Sequence, residues 1–180
     1  MPILIVPSVA VHRSFLAAWD ELGPDHERWM GTRSLADDTE WTREQAADPG
    51  EFHRLVEAIR SEAEPATVLP AGFVHQTVLW FVDGVEFLGR LSIRHELTPA
   101  LTEVGGHIGY FVRPSARRNG YATQMLVQSL PIAAGLGIDP ALVTCDLDNT
   151  ASRKVIEAAG GELEDERHGK LRFWVPTHVV

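Results

Sequence analysis

The stretch His107-Ile108-Gly109-Tyr110-Phe111-Val112-Arg113-Pro114-Ser115-Ala116-Arg117-Arg118-Asn119-Gly120-Tyr121-Ala122 decides how this chain is read. His107 to Val112 is rich in β-branched and aromatic residues and reads as a strand. Pro114 closes it, and a short loop holding Arg113, Arg117 and Arg118 leads to a helix that begins near Gly120. The first turn of any helix carries backbone N–H groups with no partner inside the helix. Their aligned dipoles make that end attractive to phosphate. Gly120 has no side chain to hold a phosphate away from the backbone, and Ala122 keeps the next approach close. The three arginines add charge-assisted donors. In a chain of net charge -9, this cluster is a local exception that an anion would notice. The plain alternative is a solvated arginine loop ahead of an ordinary helix.

Working outward, Ala122, Met125, Leu126, Leu130 and Ala133 give that helix an apolar stripe, with Pro131 expected to shorten or kink it. Ala141 to Cys145 reads as a short buried strand, and Thr150 to Ala159 as a helix that stops at Gly160. Leu171, Phe173 and Val175 alternate in a last strand. Upstream, Phe73 to Val82 reads as a strand, and Asp83-Gly84 is a hairpin signal. Beyond it Val85, Phe87, Gly89, Leu91 and Ile93 alternate with Glu86, Arg90, Ser92 and Arg94, the period of a half-buried strand. The first third is mostly helical: Phe15, Leu16, Trp19 and Leu22 share one face, and Pro49 opens a helix with Phe52, Leu55, Val56 and Ile59 inward. Met1 to Ala10 reads as a strand and Gly31 to Asp48 as a loop. The order predicts an α/β (α+β layered) domain around a mixed sheet.

The 180 residues fit one domain at about 150 residues each. The apolar share of 44% and charged share of 23% are those of a globular protein, and no apolar run approaches the ~20 residues of a membrane span. Cys145 is the sole cysteine, which excludes an internal disulfide. Sixteen basic against 25 acidic side chains disfavour nucleic acid as a partner. The expected location is cytoplasmic, with no membrane partner. No Gly-x-Gly-x-x-Gly, no Walker-type Gly-Lys-Ser/Thr and no His-Glu-x-x-His is present, so dinucleotide, P-loop and zinc-protease sites are disfavoured and no metal ligands are assigned.

Arg117-Arg118-Asn119-Gly120-Tyr121-Ala122 resembles the Arg/Gln-x-x-Gly-x-Gly/Ala signature of the GNAT acyltransferase superfamily, in the strand–loop–helix setting that family uses. Asn149 to Gly161 resembles its second segment, in which an Asn opens a helix that ends in Gly before a strand. The resemblance runs from about Leu79 to Val175 and leaves the first ~65 residues unmatched, so the chain divides into a divergent helical part, 1–70, and an acyl-CoA-binding core, 71–180.

This resemblance implies a mostly antiparallel sheet with one splayed parallel strand pair, His107–Val112 beside Ala141–Cys145. It implies acetyl-CoA as acyl-donor cosubstrate and an amine as acceptor, hence an N-acetyltransferase. Carried over by position, Phe111, Val112 and Arg113 offer backbone contacts to pantetheine. Arg117, Arg118, Asn119, Gly120, Tyr121, Ala122 and Thr123 cradle the pyrophosphate. Asn149 and Ser152 lie beside the pantetheine, although an N-cap alone explains Asn149. The family's usual acid is a Tyr seven residues after the Asn; here that position is Ile156. Tyr110 or a water is left to take the role. For the base, His107 has a suitable pKa, with Glu103 and His95 as alternatives.

Two rival functions stay open: a non-catalytic acyl-CoA-binding or sensing domain, kept alive by Ile156, and an anion-binding module built on the arginines. Trp19, Trp29, Trp41 and Trp80 belong to the core, to an aromatic acceptor site or to a homodimer contact.

Overall fold

In the computed structural model, which describes residues 1–23 and 28–178, the Asp83-Gly84 turn joins β2 (Gln76–Asp83) to β3 (Glu86–Arg94) as an antiparallel hairpin. β1 (Ile3–Ile5) pairs with β2, so the N-terminal third supplies a strand as well as helices. β4 (Ile108–Val112), β5 (Ala141–Asp146), β6 (Glu162–Arg167) and β7 (Lys170–Val175) complete one sheet in the order β1-β2-β3-β4-β5-β7-β6. Every neighbouring pair is antiparallel except β4 and β5. The expected splayed sheet is therefore present.

β6 had no signal in the sequence. Its residues Glu162, Glu164, Asp165 and Glu166 carry charge on both sides of the strand and lie at the sheet edge, mostly exposed. An edge strand with one open side needs no apolar alternation, and the charges protect its unpaired backbone from other chains.

Helices cover both faces. On one lie α3 (Tyr121–Gly135) and α4 (Thr150–Ala158). Leu126, Leu130 and Ile156 from these helices pack on Leu79, Phe81, Leu91, Ile93 and Ile108. Pro131 does not end α3; the helix runs four residues past it, to Gly135. Proline removes one N–H and crowds one carbonyl, and the buried side chains on either side, Leu130 and Ala133, hold the helix through it.

The other face carries α1 (His12–Leu22) and α2 (Pro49–Ser61). Asp48 caps α2, accepting from Gly50 N at 2.8 Å and Glu51 N at 3.0 Å, and Pro49 takes the position where a missing N–H costs nothing. Phe15 of α1 stacks on Trp80 at 4.9 Å and meets Phe87 edge-on at 5.1 Å. Trp19, Trp41 and Trp80 are all buried in this core. Each such ring contributes about 2–3 kcal/mol of burial, enough to fix α1 and α2 against the sheet. Among the described residues no helix is long and apolar enough to cross a membrane.

Candidate active site

β4 and β5 pair at a single register position, Ile108 with Val143. Just before it the two strands are pinned by His107: its N–H donates to Leu142 O at 2.7 Å, and its ring Nδ1 accepts from Leu142 N at 2.9 Å. Beyond Ile108 the strands part. β4 stays with β3 as far as Val112, and β5 stays with β7 along its whole length. The gap left between them opens into a cavity of about 550 Å³. Tyr110, Phe111 and Val112 line it from β4, Asn149, Ala151, Ser152 and Val155 from the start of α4, and Trp29 from the loop after α1. Arg117, Arg118, Gly120, Tyr121, Ala122 and Thr123 close one end.

That end is built for an anion. The first helical bond of α3 is Gln124 N to Gly120 O at 3.1 Å, so the N–H groups of Tyr121, Ala122 and Thr123 precede it. No side chain caps them, and no acidic residue occupies the first turn. Gly120 has φ +73°, a left-handed backbone that favours glycine, and a Cβ added there would meet no protein atom within 4 Å. Arg118 also has positive φ, 67°. Asn119 holds the turn by donating from Nδ2 to Ala116 O at 3.0 Å and Arg117 O at 3.2 Å. Asn119 is therefore a brace, while Arg117 and Arg118 lie exposed at the cavity rim. Arg117 Nε donates to Val112 O at 3.1 Å, which leaves its two terminal nitrogens for a ligand.

Arg113 corrects the sequence expectation. Its guanidinium is buried and turned away from the turn: Nε donates to Glu21 Oε1 at 3.0 Å, Nη1 to Ser14 Oγ and Phe87 O at 3.1 Å each, and Nη2 also binds Glu21. Its backbone N–H is spent on Leu88 O at 2.9 Å. Neither group is free for pantetheine or phosphate. Glu21 also accepts from Ser115 N at 2.9 Å and Ser115 Oγ at 2.8 Å. Burial pushes the Glu21 carboxyl up, but these bonds outweigh it and leave the pKa below the usual glutamate value. Arg113 thus ties the turn to α1.

The expected bases are also displaced. In accepting from Leu142, His107 Nδ1 uses the only lone pair of the neutral ring. Burial and then Arg94 push its pKa down, so it stays neutral and pinned rather than poised. Glu103 lies in a turn, Leu101–Gly105, where it pairs with Arg167 at 3.1 Å and His168 at 3.4 Å on the β6–β7 hairpin, outside the cavity lining. His95 Nε2 is held by Thr77 Oγ1 at 2.8 Å.

Tyr110 lies in the cavity wall, and its hydroxyl spans the gap to Ser152 Oγ at 2.6 Å. Burial raises its pKa to about 12, so it is a neutral donor at pH 7. Ile156, where a tyrosine was expected, is wholly buried against Gly161. Asn149 does cap α4, accepting from Ser152 N at 3.0 Å, and still lines the cavity. Cys145 is buried, and burial raises its pKa, so it is no poised nucleophile. Among the described residues no group of three or more His, Cys, Asp or Glu is placed to hold a metal. Of the tryptophans that the sequence offers as core, acceptor-site or dimer-contact residues, Trp29 is the one that lines this cavity.

Residues 15–162 match the family model of the acetyltransferase (GNAT) domain. The chain belongs to the GNAT acetyltransferase family. The match reaches well into the N-terminal third, where the sequence motifs gave no purchase. Among solved structures, the GNAT chain is similar to Mycobacterium smegmatis RimJ in complex with CoA-disulfide, with 19% identity, a TM-score of 0.63 and 97% of this chain and 81% of that one covered. The ribosomal-protein-S5-alanine acetyltransferase of Vibrio fischeri is 12% identical, with a TM-score of 0.61 over 98% and 93% of the two chains. The acetyltransferase yncA of Salmonella typhimurium with acetyl-CoA is 12% identical, with a TM-score of 0.58 over 98% and 94%. At these identities the likeness carries the fold. No curated protein matches the chain in sequence.

Proposed function

We propose that this GNAT protein is an N-acetyltransferase that moves the acetyl group of acetyl-CoA to an amine. The observation that carries the reading is the gap between β4 and β5, which leads from an uncapped helix N-terminus with two exposed arginines to a partly buried tyrosine hydroxyl. A pyrophosphate fits the N–H groups of Tyr121, Ala122 and Thr123 with Arg117 and Arg118 beside it. The gap-facing backbone of Tyr110 and the N–H of Val112 are then left to pair with an extended amide-bearing arm, and Asn149 Nδ2 can donate to the same arm.

In the transfer, the amine nitrogen forms a bond to the thioester carbonyl carbon and the C–S bond breaks. The amine loses one proton and the thiolate gains one. Tyr110, kept protonated by burial, donates a hydrogen bond to the departing sulfur. No carboxylate or free imidazole lines the described cavity, so the amine enters as its neutral form and its proton leaves through water. The reaction therefore speeds up as pH rises toward the pKa of the acceptor amine.

Titration calorimetry with acetyl-CoA and a thiol-release assay over amine classes test this. Binding with steady, acceptor-dependent thiol release is expected. Binding without release from any amine identifies an acyl-CoA-binding domain instead, and no heat at millimolar acetyl-CoA removes the reading altogether.

A further inference from the structure

The face of the sheet under α1 and α2 is mostly apolar, through Val78, Trp80, Val82, Phe87 and Phe111, with a polar row on β3. There β3 turns Arg90, Ser92 and Arg94 to that face, because Leu91 and Ile93 between them enter the opposite core. Across the ladder Arg90 pairs with Phe111, which lines the cavity, and Ser92 pairs with Gly109. Gly109 puts no side chain into this space; a Cβ added there would come no nearer than 3.8 Å to any atom, and that atom is Ser92 Oγ. Neighbouring strands lie about 4.8 Å apart. A nitrogen held over the gap at Gly109 is therefore one strand away from the row carrying both arginines.

These arginines are incompletely compensated. Arg90 Nε is buried and, among the described residues, has no hydrogen-bond partner. Gly31 lies directly against the guanidinium, where a Cβ would sit 2.5 Å from both Cζ and Nε. Arg94 Nη1 donates to the carbonyls of Gly105 at 3.2 Å and Gly106 at 3.0 Å, which satisfy its bonds without cancelling its charge. Among the described residues one carboxylate, Glu62, bears on Arg90. Glu62 is itself buried, receives Gln76 Nε2 at 2.7 Å, and burial pushes its pKa up. Arg90 thus has, among the described residues, a single carboxylate bearing on it, and burial disfavours that carboxylate's charge. A buried donor left unmade is costly, and Arg90 keeps its own on the strand next to the one that carries the cavity-lining Phe111. A guanidinium fork matches the two oxygens of a carboxylate bidentately.

We infer that Arg90 and Arg94 form the anion subsite of the acceptor, and that the amine acetylated by this protein carries a carboxylate within a few bonds of its nitrogen. This rests on the acetyl-transfer reading above and names its acceptor class. Two sources supply that chemistry: a free amino acid through its α-carboxylate, or a peptide whose first residue is Asp or Glu.

The test uses the full chain and matched acceptors in the thiol-release assay. Free glycine, aspartate and glutamate are compared with their amides, and peptides beginning Asp or Glu with peptides beginning Asn or Gln. The carboxylate member of at least one set is expected to be favoured by tenfold or more in kcat/KM, as a charged hydrogen bond gives; which set responds tells the source. Arg90→Gln and Arg94→Gln are expected to erase that preference through acceptor KM, with acetyl-CoA affinity unchanged by calorimetry. Arg90→Lys guards against a folding defect, since it keeps the charge and loses the fork; partial retention of the preference is expected. Equal rates for carboxylates and amides overturn the inference, as does a preference that survives both glutamine variants. So does a protein that binds acetyl-CoA but turns over no member of either set. A protein that does not bind acetyl-CoA fails one step earlier, at the proposed function.

Discussion

His107 and Leu142 exchange two hydrogen bonds, His107 N to Leu142 O at 2.7 Å and Leu142 N to His107 Nδ1 at 2.9 Å. The second uses a side chain as a surrogate carbonyl. It closes the ladder at the one end where β4 and β5 touch, so that the strands can part above it without unravelling below. A histidine at this point looks like a base in the sequence because its ordinary pKa suits one. In the fold its lone pair is already committed.

The first prediction follows from that commitment. His107→Ala leaves a buried Leu142 N–H unpaired and should lower stability by about 1–3 kcal/mol. Its effect on the pH profile of turnover should be small. The pH dependence of stability has a definite sign. The folded pKa of His107 lies below the ordinary value of about 6.5, so between the two values the unfolded chain binds more protons. The stability it protects is fully present above about pH 6.5 and is lost as pH falls through the folded pKa. Thermal melts from pH 7.5 to 5 should be flatter in His107→Ala than in the parent. A turnover step that vanishes in the variant, with stability unchanged, would instead restore His107 as a base.

Gly120 carries the second prediction. Valine there must adopt φ near +73°, which costs about 1–3 kcal/mol for a β-branched residue. Its side chain finds no protein atom in the way and projects where nothing but a ligand stands. Gly120→Val should therefore weaken acetyl-CoA binding by more than tenfold while the protein still folds. Calorimetry decides it, and equal affinities would place the phosphates elsewhere.

The third prediction separates Tyr110 from its neighbours. Tyr110→Phe keeps the ring and deletes the hydroxyl that bonds Ser152. kcat should fall about 10- to 100-fold, the lower range for a single proton-handling group, with acetyl-CoA affinity within a few-fold. Moving the hydroxyl to the position the family favours should not help: Ile156 is fully buried and packs on Gly161. Ile156→Tyr should destabilise by about 1–3 kcal/mol through overpacking. Stopped-flow thiol release and thermal melts read the two effects separately.

The motif from Arg117 to Ala122 was legible because its chemistry is local. A left-handed glycine and an uncapped helix start are properties of consecutive residues. The β2–β3 hairpin and α2 were legible for the same reason, with their turn and start written in Asp83-Gly84 and Pro49. Arg113 was misread because its partner, Glu21, lies 92 residues away, and no spacing rule connects a loop to a distant helix. His107 was misread because a ring nitrogen's partner is a matter of strand register. β6 was missed because an exposed edge strand need not alternate. Residue types named the chemistry, and only tertiary contacts told which groups were free to perform it.

The last prediction concerns that Arg113–Glu21 contact. The two side chains are 11% and 24% exposed, so water screens them only in part. Glu21→Gln keeps the shape and removes the charge, leaving the buried guanidinium only the more distant, exposed Glu86 at 3.8 Å; the expected loss is about 2–4 kcal/mol, below the cost for a fully buried pair. The folded pKa of Glu21 is depressed, so the stability this pair contributes is fully present above the unfolded glutamate value of about 4.3. It is lost as pH falls through the folded pKa, because the unfolded chain takes up the proton first. Acid melts of Glu21→Gln should thus lack part of the parent's loss below about pH 4.3. Glu21 also holds Ser115 through both its N–H and its hydroxyl, so the same variant loosens the loop leading to the anion site. Acetyl-CoA affinity should drop several-fold although neither Glu21 nor Arg113 lines the cavity. Unchanged affinity in a destabilised variant would show that Asn119 alone holds the turn in shape.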